Sequence, residues 1–235
     1  MLIQGNADWR GIPEEYRNQI VTGDARELSK RIPDESVDLI FTDPPYKGEY
    51  LYLYEWLGEC AKRILKPTGF LLSYVAPYHK NKIFGYFDKH LEYFWDYIEY
   101  NKGNSTIIWP RRTISRYKSI LAYRIDGGMP ATNVLGVYPG RSGKYGDKRY
   151  HKWGQTEDTV RYFIEVFLGR EPGPGTIVFD PFAGGGTTAA VCKQHNINWI
   201  SFEIEADDAD IARDRIENTI PPLFILHPEQ LDLML

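Results

Sequence analysis

Short apolar runs rich in β-branched residues alternate with helical segments along most of this chain, and that alternation limits the fold more than any other feature. It predicts a parallel sheet, because neighbouring parallel strands need a long crossover connection such as a helix. The predicted strands are residues 18–22, 34–42, 70–75, 93–100, 119–124, 176–179 and 199–202. The predicted helices are residues 49–65, 78–90, 156–168, 186–195 and 206–218, and residues 127–154 are predicted to form a long loop. The expected fold class is therefore α/β, with a doubly wound sheet.

Length and composition indicate one globular domain over residues 1–235, since 43% of the residues are hydrophobic and 26% are charged. No apolar run approaches the roughly 18 residues of a membrane span, and the N-terminal residues do not resemble a signal peptide. Only two cysteines, Cys60 and Cys192, and five histidines are present, so neither a disulfide framework nor a metal site is expected. The expected compartment is a reducing cytoplasm.

The predicted strand at residues 34–42 ends abruptly at the tetrapeptide Asp43-Pro44-Pro45-Tyr46. Proline lacks a backbone N–H and has a fixed φ, so two prolines in succession cannot continue a strand. A carboxylate, a stiff backbone and an aromatic ring are therefore held at the end of a strand, where open α/β sheets bind their ligands. The alternatives are that Asp43 is a turn residue and Tyr46 a packing aromatic.

A second strand, at residues 176–179, leads into a glycine-rich turn and then into a helix, in the sequence TIVFDPFAGGGTTAAV. Glycines allow a tight turn and a close approach of a ligand to the backbone. Glu203 lies at the end of the next strand, where an acidic side chain suits a ribose diol, and Glu205 is the second candidate. Although such a loop can also be purely structural, this order of elements favours nucleoside binding, and the lack of a following Lys disfavours a Walker-type phosphate site.

Together, the tetrapeptide and the glycine-rich loop resemble those of the amino-group DNA methyltransferases that use S-adenosylmethionine. The tetrapeptide precedes the loop, which is the permuted order of the β class of that family. The resemblance extends to Thr22-Gly23-Asp24-Ala25 upstream and to residues 151–155 downstream. It implies a Rossmann-like methyltransferase fold, double-stranded DNA as substrate, and a bacterial or phage restriction-modification context, and it is compatible with a homodimer.

The resemblance also assigns functional residues. The catalytic residues it implies are Asp43, Pro44, Pro45 and Tyr46. The implied cofactor-binding residues are Asp24, Asp180, Phe182, Ala183, Gly184, Gly185, Gly186, Thr187, Thr188 and Glu203. Asp24 can alternatively cap a helix. One departure from the family pattern is that Thr156-Glu157-Asp158 stands where many relatives have Lys-Pro, which puts contacts of that helix with the methionine end of the cofactor in doubt.

The charge distribution indicates where DNA would bind. The chain has a net charge of −4, but residues 102–152 hold eleven Lys and Arg against two Asp, a local charge of +9. A polyanion responds to the local charge, so this segment is predicted to be a small target-recognition insertion. The candidate DNA-binding residues are Arg111, Arg112, Lys144 and Lys148. The alternative is a solvated basic face.

The predicted reaction is transfer of a methyl group to the exocyclic N6 of adenine, after the base has been flipped out of the duplex. Asp and not Ser at position 43 resembles the adenine enzymes. Methyl transfer to N4 of cytosine is the alternative reaction. An inactive DNA-binding subunit would be expected to lose one of the two motifs. A methyltransferase acting on protein glutamine or RNA would be expected to carry the cofactor loop first.

Overall fold

The computed structural model of the chain describes residue 9 and residues 11–101, 106–108, 111–140, 156–173 and 175–220. Its strands are β1 Ile20–Thr22, β2 Val37–Thr42, β3 Leu65–Val75, β4 Glu92–Asn101, β5 Thr106–Ile108, β6 Thr113–Ser115, β7 Tyr117–Arg124, β8 Val137–Gly140, β9 Ile177–Asp180 and β10 Asn198–Glu203. Its α-helices are α1 Ala25–Leu28, α2 Leu51–Ile64, α3 Lys80–Phe87, α4 Glu157–Leu168, α5 Thr187–Gln194 and α6 Ala206–Asn218. Short 3₁₀ turns occupy Glu14–Tyr16, Ser29–Arg31, Gly48–Tyr50 and Pro77–His79.

Eight of these strands form one sheet in the order β1-β10-β9-β2-β3-β7-β4-β8, and β5 pairs with β6 in a separate antiparallel ribbon. The five strands from β1 to β3 in that order run parallel. The next strand, β7, is antiparallel to both of its neighbours, and β8 is parallel to β4. The sheet is therefore mostly parallel, and the predicted α/β class is confirmed.

Helices cover both faces of the sheet, as expected for buried parallel strands that read as continuous apolar runs. On one face α2 and α3 bury Leu57 and Phe87 against the sheet. On the other face α4 and α6 bury Phe163 and Ala212. No described helix is long and apolar enough to cross a lipid bilayer.

Two predictions about local structure were wrong, and one pair of strands was missed. The α2 helix ends at Ile64, one residue earlier than predicted. Residues 66–69, predicted as its stop signal, lie inside β3. Within them the pairing with β2 shifts from Val37–Leu65 to Leu39–Phe70. Pro67 is accommodated because a bulge needs no ladder hydrogen bond at that position. The predicted loop at 127–154 contains β8, which pairs with β4 although glycine and proline mask its strand character. The ribbon of β5 and β6 was not predicted.

Most other elements agree with the prediction within a few residues, and α6 begins and ends as expected. Thr156 is the N-cap residue of α4, as predicted, but its hydroxyl lies 2.8 Å from the Thr159 hydroxyl and makes no hydrogen bond to a backbone N–H of the helix. The segment 151–155, predicted to precede this helix, lies outside the described residues.

Candidate active site

The two sequence motifs meet at the point where the strand order of the sheet reverses. From β9 the chain continues to β10 on one side, and from β2 it continues to β3 on the other, while β9 and β2 are neighbours. Open α/β sheets bind ligands outside the carboxyl ends of the strands at such a switch point. There the Thr42 hydroxyl donates a hydrogen bond to Asp180 Oδ1 over 2.7 Å, joining residues 138 positions apart in the chain.

The tetrapeptide leaves the end of β2 as an irregular segment that is partly open to solvent. Asp43 is half-buried and Pro44 is buried, whereas Pro45 and Tyr46 are exposed. Tyr46 is 37% exposed, and its hydroxyl is hydrogen-bonded to the Asp43 carboxylate. Partial burial and then the charge of Asp43 raise the pKa of Tyr46 well above its ordinary value. The Tyr46 hydroxyl therefore helps to fix the position of the Asp43 carboxylate.

Tyr54 of α2 supports the same segment from below and was missed in the sequence. Its hydroxyl donates to the Pro44 carbonyl over 3.5 Å, and its side chain is fully buried. Burial, and then the charge of Asp43, raise its pKa, so the hydroxyl keeps its proton and acts as a donor. The signal was present, because Tyr54, Leu57, Ala61 and Ile64 recur at helical spacing on the buried face of α2.

The glycine-rich loop connects β9 to α5. Two of its glycines have positive φ, 48° at Gly184 and 72° at Gly186, a conformation that other L-residues adopt at a cost. Gly186 also lies at the N-cap position of α5, and a Cβ there would stand 3.0 Å from the Cβ of Ala212. Glycine is therefore needed at position 186 for backbone conformation and for contact with α6.

Arg215 of α6 holds this loop from the inside and was also missed. It is buried, and its guanidinium donates to the Gly185 carbonyl over 2.9 Å and to the Thr187 hydroxyl over 3.0 Å. It also donates to Glu157 Oε1 at the start of α4 over 2.7 Å. An arginine in a polar amphipathic helix gives no sequence signal for such a role, since most arginines are exposed.

Glu203 closes the neighbouring strand, β10, and points into the loop. Its carboxylate is buried and accepts hydrogen bonds from the Gly184 N–H over 2.7 Å and from the Glu205 N–H over 3.0 Å. An ionised carboxylate can accept about four hydrogen bonds, so acceptor sites are left for hydroxyl donors of a ligand. The Glu205 side chain, the second candidate, is exposed.

Asp24 follows β1 at the same edge of the sheet. It is the N-cap of α1, and its carboxylate accepts from the Arg26 N–H over 2.9 Å and from the Arg26 guanidinium over 2.6 Å. The hydrogen bond with the Arg26 side chain is the main reason that the pKa of Asp24 is lowered. Of the two interpretations of Asp24, the structure shows helix capping, and its cofactor role stays a prediction.

The candidate DNA-binding residues are only partly described. Arg111 and Arg112 form the exposed turn between β5 and β6, and Arg112 has a φ of 50°. The Arg111 guanidinium lies 4.9 Å from the ring centroid of Tyr78, which follows β3. Lys144 and Lys148 lie outside the described residues. Among the residues that are described, no group of three or more His, Cys, Asp or Glu is arranged to hold a metal ion.

Solved structures identify the class of fold. The crystal structure of an M1.HpyAVI–SAM complex superposes with a TM-score of 0.67, covering 84% of this chain and 98% of that chain at 22% identity. The PvuII DNA methyltransferase, described as cytosine-N4-specific, gives a TM-score of 0.72 over 88% of this chain and 91% of that chain at 17% identity. The fold is therefore the Rossmann-like α/β fold of DNA methyltransferases.

The sequence relatives are also methyltransferases. The type II methyltransferase M.BamHI of Bacillus amyloliquefaciens is 28% identical over 85% of this chain, and M.HinfI of Haemophilus influenzae is 27% identical over 94%. The chain spans 57% of the length of M.BamHI and 72% of that of M.HinfI. The DNA methylase family model matches residues 126–214, which include the glycine-rich loop and exclude the tetrapeptide. The chain is thus a relative of the amino-group DNA methyltransferases, as its sequence predicted.

The buried carboxyl of Asp180 gives a testable dependence of stability on pH. Burial is the main cause that raises its pKa from 3.8 to about 6, against hydrogen bonds from Thr42, Thr188 and the Phe182 N–H that lower it. The folded state therefore binds this proton more tightly than the unfolded state does. The resulting stabilisation is complete below pH 3.8 and is lost as the pH rises through about 6.

We expect the free energy of unfolding of the wild type to fall, relative to that of Asp180→Asn, as the pH rises from about 4 to about 7. The variant cannot titrate at this position, and all other groups are common to both proteins. Urea unfolding of the two proteins across this pH range measures the difference. A difference that does not change with pH would contradict the raised pKa of Asp180.

Proposed function

We propose that this chain is a site-specific DNA methyltransferase that transfers a methyl group from S-adenosylmethionine to N6 of adenine in double-stranded DNA, with the target base flipped out. The observation that carries the proposal is the hydrogen bond between Thr42 and Asp180, because it places the tetrapeptide beside the glycine-rich loop at the switch point. Methyl donor and acceptor must meet at such a junction for the transfer to occur.

The residue types in the tetrapeptide suit an exocyclic amine. The lone pair of such an amine is delocalised into the ring, so the nitrogen is a poor nucleophile. The Asp43 carboxylate and the Pro44 carbonyl can each accept one amine hydrogen, which favours a pyramidal nitrogen and directs its lone pair out of the ring plane. After transfer, the methylated nitrogen must lose a proton, and we assign the Asp43 carboxylate as the base that accepts it.

The residues around the glycine-rich loop fit the proposed cofactor. The buried Glu203 carboxylate retains acceptor sites beside the Gly184 backbone, which suits a ribose diol. When bound, S-adenosylmethionine supplies a sulfonium methyl group that accepts the amine lone pair, while the carbon–sulfur electron pair returns to sulfur. Asp180 and Thr188 stabilise the turn between β9 and α5, because the Thr188 side chain is hydrogen-bonded to the Asp180 carboxyl.

Adenine is proposed as the target because Asp occupies position 43, as in the adenine enzymes that the tetrapeptide resembles. The fold does not separate the alternatives, since the PvuII enzyme described as cytosine-N4-specific has the same fold. N4 of cytosine therefore remains the alternative. An inactive subunit is disfavoured because both motifs are present in the sequence and meet at the switch point.

The proposed DNA-binding surface is residues 102–152, with Arg111 and Arg112 as groove-contacting side chains and Lys144 and Lys148 as phosphate contacts. The position of Arg111 over Tyr78 supports this proposal. Tyr78 lies in the short 3₁₀ turn after β3, and His79 beside it would lie 3.3 Å from a Cβ at Gly48, two residues beyond the tetrapeptide. The turn between β5 and β6 therefore lies beside the segment that carries Tyr46. A homodimer and a cytoplasmic location remain predictions.

Asp43→Ala is expected to lower methyl transfer at least about 100-fold while the affinity for S-adenosylhomocysteine stays within about twofold, because Asp43 serves the amine and not the cofactor. Incorporation of labelled methyl groups into DNA measures the first quantity, and calorimetric titration the second. Asp34→Ala, which removes an exposed carboxylate paired with Arg63, is the control and should keep full activity. Activity of Asp43→Ala within a few-fold of wild type would refute the assignment.

For the DNA-binding surface, the double variant Lys144→Ala/Lys148→Ala should weaken binding to all DNA sequences alike. It should also lower the slope of log K against log salt by about one for each lost phosphate contact. Arg111→Lys keeps the charge but loses bidentate hydrogen bonding, so it should leave the slope unchanged and relax the choice of methylated sequence.

Lys89→Ala, in the turn after α3 and paired with Glu55, is the control for both measurements. Fluorescence anisotropy at several salt concentrations gives the slopes, and mapping of methylated sites gives the selectivity. An unchanged slope in the double lysine variant would mean that these lysines form a solvated face and that DNA binds elsewhere.

A further inference from the structure

A buried carboxylate outside both motifs is hydrogen-bonded to β3, the strand next to the one that ends at the tetrapeptide. Glu99, on β4, is only 3% exposed, and its two oxygens are each hydrogen-bonded. The Tyr74 hydroxyl donates to Oε2 and the Thr159 hydroxyl donates to Oε1, each over 2.9 Å. Glu99 thus connects three elements, β3, β4 and α4. Because burying a carboxylate is unfavourable even when it is hydrogen-bonded, its presence at this position calls for a function.

The connection to the tetrapeptide runs through Tyr74. The parallel pairing of β2 with β3 places Thr42 beside Ser73, so Tyr74 follows Ser73 on β3 as Asp43 follows Thr42 on β2. The ring of Tyr74 packs edge-on against Phe41, with 5.9 Å between centroids. Burial, and then the charges of Glu99 and Asp43, raise the pKa of Tyr74 far above its ordinary value, so it keeps its proton and donates to Glu99. The same Glu99 charge also contributes to the raised pKa of Tyr46.

Charged side chains lie on both faces of the sheet around Glu99. Lys118 on β7 is paired opposite Glu99, and its ammonium lies 5.2 Å from the centroid of the Tyr74 ring. On the opposite face of β4, Asp96 is bonded to Lys80. Removing the charge of Glu99 therefore changes the local charge by +1 on the side of the sheet that Tyr74 and Thr159 occupy.

We infer that Glu99 is a positioning residue that holds Tyr74 against β2, the strand that ends at the tetrapeptide, and makes the site more negative, so that the site favours the cationic methyl donor over the neutral product. The inference rests on the proposed function. Its physical basis is that S-adenosylmethionine carries a positive sulfonium, whereas S-adenosylhomocysteine has a neutral thioether of almost the same shape. A negative charge in a site of low dielectric distinguishes the two, and it also assists release of the product after transfer.

The test is the ratio of the affinities for these two compounds, measured by calorimetric titration without DNA, so that no turnover occurs. Glu99→Gln keeps the size of the side chain and removes the charge. Its amide oxygen can still accept from the Tyr74 hydroxyl, and its amide NH₂ can donate to the Thr159 hydroxyl oxygen. We expect the affinity of Glu99→Gln for S-adenosylmethionine to fall about tenfold, which is the order of magnitude for two unit charges about 10 Å apart at an effective dielectric constant of about 20. The affinity for S-adenosylhomocysteine should stay within about twofold.

Asp96→Asn is the matched control, because it removes a carboxylate from the opposite face of the same strand, and its affinity ratio should equal that of the wild type. Lys118→Gln is the second variant, and it should shift the ratio in the opposite direction, toward the cationic donor. It also decides the question if Glu99→Gln does not fold. A loss of affinity for both compounds by the same factor in Glu99→Gln, or an unchanged ratio in Lys118→Gln, would overturn the inference. If the wild type bound neither compound, the proposed function itself would fail.

Discussion

The hydrogen bond from the Thr42 hydroxyl to the Asp180 carboxylate is the interaction on which the proposed site depends. It joins the carboxyl ends of two adjacent parallel strands whose continuations lie in opposite halves of the sheet. Since Asp180 is almost fully buried, its carboxylate must be hydrogen-bonded to be tolerated there, and Thr42 supplies one of those bonds. The geometry of the tetrapeptide and of the glycine-rich loop is thereby coupled, although the two motifs are far apart in the chain.

Buried polar side chains support the two motifs from beneath. Tyr54 supports the Pro44 carbonyl, Arg215 supports the Gly185 carbonyl, and Glu99 links Tyr74 to Thr159. Each of these groups is buried and hydrogen-bonded, so removing one partner leaves another polar group unsatisfied in the interior. Buried hydrogen bonds of this kind fix the conformations of the groups above them, and catalytic groups need such a fixed arrangement.

Much of the fold could be predicted from the sequence, because its signals are local. The run from β9 through the glycine-rich loop to α5, and α6 after β10, follow from β-branched residues, glycines and helical periodicity within a few residues of each other. By contrast, β8 forms a strand because it pairs with β4. Its local sequence, with Gly136, Pro139 and Gly140, is not typical of a strand, so it could not be predicted. The roles of Glu99 and Arg215 could not be predicted for the same reason. Their hydrogen-bond partners lie on other elements, and the sequence around each residue does not indicate them.

The most direct test of the account is to identify the methylated nucleoside. DNA from a methylation-free bacterial host that expresses this chain would be digested to nucleosides and analysed by mass spectrometry, with the Asp43→Ala variant in parallel. The account predicts N6-methyladenine in the DNA of the wild type and none in that of the variant. N4-methylcytosine in its place would contradict the adenine assignment, and N6-methyladenine at equal levels with the variant would contradict the role of the tetrapeptide at the junction of β2 and β9.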